Sequence, residues 1–189
     1  MKTVFNVNPK ELKLAMDNCK VATSKDKYRQ EWQKIKLELN RGSLKFIALD
    51  GHRLHTNIIT AENNNNYEPL EILVEHIKVP TKAKFCEITI DEEQKTITYD
   101  FITEKTIKQT YSTENFPKND LIENIIKDHN SNFKIGINRK YLIAALEKWE
   151  DDVVVLDFDS KIKPLIIKKQ GQNDNINIVF PVRLKEDQA

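Results

Sequence analysis

The chain opens the same way twice. Phe5-Asn6-Val7-Asn8 reads as a short strand that runs into Pro9, a residue suited to the first helical position, with Glu11 three residues beyond Asn8 as in a capping box. Leu12, Ala15, Met16, Cys19 and Ala22 then follow at helical spacing on one face. Late in the chain the pattern returns. Phe133-Lys134-Ile135-Gly136-Ile137 alternates as a strand, Asn138 is positioned as an N-cap, and Tyr141, Leu142, Ala145, Leu146 and Trp149 mark an apolar helix face. A helix with one apolar stripe has to bury it against a neighbouring layer. Two strand–cap–helix openings, each followed by strand-forming sequence, therefore predict an α+β fold of duplicated helix-plus-antiparallel-strand units, with the helices on one face of the sheets.

The strands can be followed between these helices. Ile35, Leu37 and Leu39 alternate with Lys36 and Glu38, Asn40-Arg41-Gly42-Ser43 supplies a hairpin turn, and Leu44 to Leu49 forms the return strand. After Asp50-Gly51 the chain continues extended from Leu54 to Thr60, and the polar run Glu62-Asn63-Asn64-Asn65-Asn66-Tyr67 reads as a surface loop. Pro69 opens either a short helix with Leu70, Leu73, Val74 and Ile77 on one face, or a strand over the same residues. Phe85 to Asp91, Lys95 to Ile102 and Lys105 to Ser112 read as a meander turning first at Glu92-Glu93-Gln94. Phe116-Pro117 breaks the pattern and residues 121–131 read as a linker. Strands at Val153 to Phe158, Pro164 to Lys169 and Asn175 to Val182 complete a third unit. The expected domains are 1–120 and 132–189, holding about three helix-plus-strand units in all.

Composition narrows the class. With 189 residues, 39% hydrophobic and 31% charged, the chain is expected to be globular and to bury a sizeable core. No apolar run is long enough to span a bilayer, and Met1-Lys2-Thr3-Val4-Phe5 carries no long apolar stretch or cleavage site of a secretory signal. Cys19 and Cys86, the only cysteines, are expected to be reduced, which together with the missing signal predicts a cytoplasmic protein with no membrane partner. The 30 basic and 29 acidic residues give a net charge of +1, which neither demands nor excludes nucleic acid. A metal-dependent hydrolase using Asp50, His52, Asp151, Asp152, Asp157 or Asp159 is one alternative, but no Cys-x-x-Cys, His-Glu-x-x-His or Gly-x-Ser-x-Gly spacing occurs. Only 4 glycines are present and none forms a phosphate-cradling loop, so no cofactor is expected.

Four short segments carry a sharper reading: Tyr28-Arg29, Asp50-Gly51-His52-Arg53-Leu54, Phe116-Pro117 and the tail Val179-Phe180-Pro181-Val182-Arg183-Leu184. Each has an ordinary structural reading; Asp-Gly, for example, is a common turn pair. Taken together and in this order, they resemble the bacterial sliding clamp, the β subunit of DNA polymerase III. The resemblance implies the DNA-clamp, or processivity-fold, architecture. Residues 1 to about 120 look like the family's middle domain and 131 to 184 like half of its C-terminal domain, with no counterpart of the N-terminal domain.

It also implies a role as a non-catalytic replication accessory protein. Such a protein docks short peptides of DNA polymerase, clamp loader or repair proteins in an apolar cleft with a polar edge. By position, the expected peptide-binding residues are Arg29, Trp32, Gly51, His52, Arg53, Leu54, Val179, Phe180, Pro181, Val182, Arg183 and Leu184. Trp32 stands where the family usually has a smaller aliphatic residue. Lys10, Lys13, Lys20, Arg139, Lys140 and Lys148, on or beside the helices, are the expected contacts to double-stranded DNA without sequence specificity. The family's rings imply a homo-oligomer, a dimer or tetramer, and twofold pairing of two third units would complete three domains between two chains. The alternative is an adaptor or decoy that binds the same peptides without encircling DNA.

Overall fold

The computed structural model describes residues 1–63, 67–114, 116–117, 134–147, 153–171 and 175–184. The chain divides into two compact units, Met1–Ile122 and Glu123–Ala189. The expected linker 121–131 lies outside the described residues.

The first unit contains β1 (Lys2–Val7), α1 (Pro9–Val21), β2 (Ile35–Asn40), β3 (Ser43–Leu49), β4 (Leu54–Glu62), β5 (Leu70–Val74), β6 (Cys86–Asp91), β7 (Thr96–Phe101) and β8 (Lys105–Thr110). The strands form one antiparallel sheet in the order β5-β2-β3-β4-β1-β6-β7-β8. Its ends almost meet. The Leu73 N–H donates to the Ser112 carbonyl at 2.7 Å and the Ser112 N–H returns to Leu73 at 3.2 Å. The Gln109 amide bonds both the N–H and the carbonyl of Glu75, at 2.9 and 3.2 Å. The sheet is therefore a nearly closed barrel, which satisfies backbone groups that a free edge would expose.

Helix α1 starts where its local chemistry dictates. Pro9 occupies the first turn and the Asn8 side chain accepts the Lys10 N–H at 2.9 Å. Leu12, Ala15, Met16 and Cys19 pack into the core with Phe5, Phe46, Tyr99 and Phe101, all essentially inaccessible to water. Leu12, Met16 and the phenylalanines each contribute on the order of 1.5–3 kcal/mol by leaving water. Cys19 and Cys86 are free, and burial pushes their thiols up to about 11 and about 12.

Of the helix and the strand left open for the segment that begins at Pro69, the structure has the strand. Leu70–Val74 pairs with β2 from Leu39↔Leu70 to Ile35↔Val74, burying Ile72 and Val74 on the core side. No helix lies between β5 and β6. Residues 75–85 instead bury Ile77, Val79 and Ala83 in the core from an irregular path. The reading of three helix-plus-strand units thus reduces to two described helices.

β2 carries charged residues on a covered face. Its alternation places Lys36 and Glu38 on the face away from α1, and there they are buried, 3% and 7% exposed. Lys36 Nζ lies 3.2 Å from Glu38 and 2.7 Å from Glu71, Lys45 lies 3.2 Å from Glu38, and the Phe116 ring lies 5.9 Å from Lys36. Opposite charges compensate one another where water is excluded.

The second unit contains β9 (Gly136–Ile137), α2 (Arg139–Leu146), β10 (Val155–Asp157), β11 (Leu165–Lys168), β12 (Ile176–Val179) and β13 (Pro181–Val182). β10-β11-β12 form one sheet, and β13 pairs with β9. Asn138 caps α2 by accepting the Lys140 N–H at 3.0 Å, repeating Asn8. Leu142, Ala145 and Leu146 pack on Leu165, Ile167 and Val179. Tyr141, expected on the apolar face, is 65% exposed because it precedes the packed stripe by one position, and Trp149 lies outside the described residues. The expected strand 175–182 is broken at Phe180. Among the described residues no helix is long and apolar enough to cross a membrane.

The buried charge network makes a direct prediction. Lys36→Met leaves Glu38 short of a partner in a dry environment and is expected to lower the unfolding free energy by about 3 kcal/mol. Lys45→Met removes a more accessible charge and should cost less than about 1 kcal/mol. Urea denaturation at pH 7 measures both; equal losses would contradict the assignment of Lys36 as the buried centre.

Candidate peptide-docking site

The connection between β3 and β4 is a self-locked turn. Gly51 has φ +92°, a left-handed conformation that favours glycine. Asp50 Oδ1 accepts the backbone N–H groups of His52 and Arg53 at 3.0 and 3.1 Å, and Oδ2 accepts Arg53 Nε at 2.9 Å. These bonds, the His52 N–H first and the Arg53 guanidinium next, hold the Asp50 carboxyl down at about 2. A carboxylate with three donors fixes the loop rather than standing free as a base.

Trp32 lies beside this turn on a single turn of 3₁₀ helix, Gln30–Gln33. The Arg29 guanidinium lies 4.4 Å from the centre of its ring, and a Cβ on Gly51 would lie 3.6 Å from Trp32 and 3.8 Å from Arg29. Half-buried Trp32 and Leu54 pack on a cluster of Ile47, Leu49, Leu73 and Phe116. An apolar floor therefore sits on the sheet face away from α1, with Gly51, His52, Arg53 and Arg29 exposed along its edge. A polar depression of about 440 Å³ adjoins that edge, lined by Thr23, Ser24, Lys25, Asp26, Arg29, Asp50, His52 and Arg53.

The structure thus brings Arg29, Trp32, Gly51, Arg53 and Leu54 together in the first unit. Phe116 was legible as a motif residue but not as part of this floor. The signal for it was in β3, where Phe46-Ile47-Ala48-Leu49 is apolar on both faces and so requires a cover on the second face. The tail residues belong to the second unit. Val179 is buried, Phe180 is 71% exposed, Pro181 and Val182 form β13, and Arg183 and Leu184 are exposed. A Cβ on Gly136 would approach both the Leu184 side chain and the Val182 carbonyl oxygen to 2.7 Å, and the backbone contact is the one that favours glycine.

Of the expected DNA contacts, Lys10 and Lys20 are exposed on α1, and Arg139 and Lys140 are exposed in the first turn of α2. Lys13 is tied to Asp17, which also meets His76 at 3.1 Å. The Lys13 bond is the main reason the Asp17 carboxyl lies below its usual range. Lys148, Asp151 and Asp152 lie outside the described residues. Among the described residues no group of three or more His, Cys, Asp or Glu side chains is arranged to hold a metal ion.

No family model matches the chain. A β sliding clamp of Staphylococcus aureus is 34% identical over 50 residues, which is 26% of this chain and 13% of that protein. The DNA polymerase sliding clamp of Pseudomonas aeruginosa superimposes with a TM-score of 0.55 at 16% identity, over 96% of this chain and 67% of that one. The polymerase III β subunit of Caulobacter crescentus gives 0.60 at 12% identity, over 90% of this chain and 48% of that one. The fold is that of a DNA sliding clamp. More particularly, the chain is similar in fold, and over a short stretch in sequence, to the bacterial DNA polymerase III β subunit, and it spans about half to two thirds of the solved chains it matches.

The depressed Asp50 carboxyl has a pH signature. Its folded value of about 2 lies below the ordinary 3.8, so its stabilising bonds are fully present above that ordinary value and are lost as pH falls towards about 2. The melting temperature of Asp50→Asn should fall below that of the parent at neutral pH, and the gap should close between about pH 4 and pH 2. A gap independent of pH would show that the Asp50 charge does not hold the turn.

Proposed function

We propose that the chain is a sliding-clamp-like DNA replication accessory protein. It docks short peptide motifs of polymerases, clamp loaders or repair proteins and retains them on double-stranded DNA. The observation that carries this reading is the apolar floor of Trp32, Leu54 and Phe116 beside the locked Asp50–Arg53 turn, on a fold shared with bacterial sliding clamps. An extended peptide with apolar side chains would lay them on that floor, while Gly51, His52, Arg53 and Arg29 supply backbone access and hydrogen-bond donors at the edge. Val179, Phe180, Pro181, Val182, Arg183 and Leu184 are the proposed second wall. Trp32 fills space that a smaller residue would leave open, which favours peptides with compact apolar groups.

In this reading Lys10, Lys20, Arg139 and Lys140 meet DNA phosphates, and a homo-oligomer, a dimer or tetramer, encircles the duplex. The protein is a binding platform rather than an enzyme, in keeping with the structural engagement of Asp50. It would act in the cytoplasm, where replication of bacterial DNA takes place.

Fluorescence anisotropy with a labelled peptide containing glutamine and apolar residues tests the docking step. Leu54→Glu places a charge on the floor and should raise Kd by at least about tenfold, equivalent to 1.4 kcal/mol. Deletion of Phe180 to Leu184 should do the same. Unchanged affinity in both variants would remove the site.

A further inference from the structure

The first unit consists of two halves joined by two equivalent seams. β1 pairs with β6 so that Val7, the last residue of β1, lies opposite Cys86, the first of β6. β5 pairs with β2 so that Val74, the last residue of β5, lies opposite Ile35, the first of β2. Each half also returns to its own first strand. Val7 on β1 lies opposite Ala61 on β4, and Leu73 on β5 bridges Ser112 just beyond β8. The unit thus has an internal approximate twofold, and the opening strand of each half covers the exposed edge of the other.

The second unit repeats one such half. Ile137 lies opposite Pro181 as Val7 lies opposite Ala61, and each is followed by a capping asparagine. β10-β11-β12 repeats the order β2-β3-β4. The other half has no counterpart among the described residues. Burial shows the consequence: Leu12, Ala15 and Met16 of α1 are at most 1% exposed, whereas their counterparts Leu142, Ala145 and Leu146 are only half-buried. Leu156, opposite Ile167 of β11 and so on the same sheet face as that buried residue, is 41% exposed against 0% for Leu37.

We propose that the second unit is completed by the second unit of another copy of this chain, with β9 of each copy pairing antiparallel to β10 of the other about a twofold axis. The occupant follows from the seams of the first unit, because the opening strand of each half there covers the edge of the second strand of the other half. A twofold arrangement satisfies both seams with one surface. Carrying over the register sets Ile137 opposite the partner's Val154, with both side chains on the helix-facing side as Val7 and Cys86 are. Two steps back along β9 and two forward along the partner's β10, Ile135 meets the partner's Leu156, so the half-exposed inner-face residues cover one another. One step further, Lys134 meets the partner's Asp157, a pair of opposite charges. This pairing rests on the fold alone and holds whether or not the chain docks peptides.

The test is a disulfide that only the proposed seam can form. Directly opposed residues in antiparallel strands have Cα atoms about 4.5–5.5 Å apart, within reach of a disulfide. In one chain, β11, β12 and β13 lie between β9 and β10, so a full-length Lys134→Cys/Asp157→Cys variant cannot close the link internally. Mild oxidation should give a covalent dimer whose mapped link joins positions 134 and 157 of different copies, and neither single variant should form it. The unmodified chain should show twice its 22.1 kDa mass by light scattering at micromolar concentration. Leu156→Lys should show the single mass while the first unit keeps its thermal transition. A monomeric parent would overturn the proposal, and so would a dimer that the cysteine pair fails to lock.

Discussion

Everything in the first unit depends on backbone pairing between its two halves. β1 with β6, and β2 with β5, turn two open four-stranded pieces into one nearly closed sheet, and the Leu73–Ser112 bonds draw the remaining edges together. Closure has two consequences. It encloses an apolar interior large enough to bury Phe5, Phe46, Tyr99 and Phe101 completely under a single helix. It also holds β3, β4 and β5 rigidly enough that their outer face can carry a second, smaller apolar cluster together with a compensated charge network.

That outer face is where the functional reading lies. The Asp50 turn is a rigid corner because one carboxylate satisfies two backbone donors and a guanidinium at once. Trp32 is held between the Arg29 guanidinium and the Gly51 backbone. A surface with aromatic and aliphatic groups at its centre and fixed donors along one side suits capture of a short extended peptide better than bond-making chemistry.

The parts of this structure that could be read in the sequence are those fixed by local chemistry. Asn8 with Pro9, and Asn138, announce both helices because capping is settled within one turn. Gly42 marks its hairpin, and Asp50-Gly51 its turn, because few residues tolerate those conformations. Leu70–Val74 was ambiguous because five residues with apolar groups at mixed spacing fit either period; pairing with β2 decided the matter. Burial of Lys36 and Glu38 was hidden because it depends on Glu71, Lys45 and Phe116 arriving from elsewhere in the chain. That Arg29, Trp32 and the run Asp50 to Leu54 form a group was legible from their identities, while the contribution of Phe116 required the tertiary contact.

The central claim is that the face bearing Trp32 and the Asp50 turn is a peptide-binding surface. It can be tested without any substitution by titrating ¹⁵N-labelled protein with a clamp-binding peptide and following amide and indole resonances. The account predicts that the Trp32 indole N–H and the amides of Gly51, His52 and Leu54 shift together with one binding isotherm. Shifts confined to other surfaces, with these resonances unmoved at saturation, would contradict it.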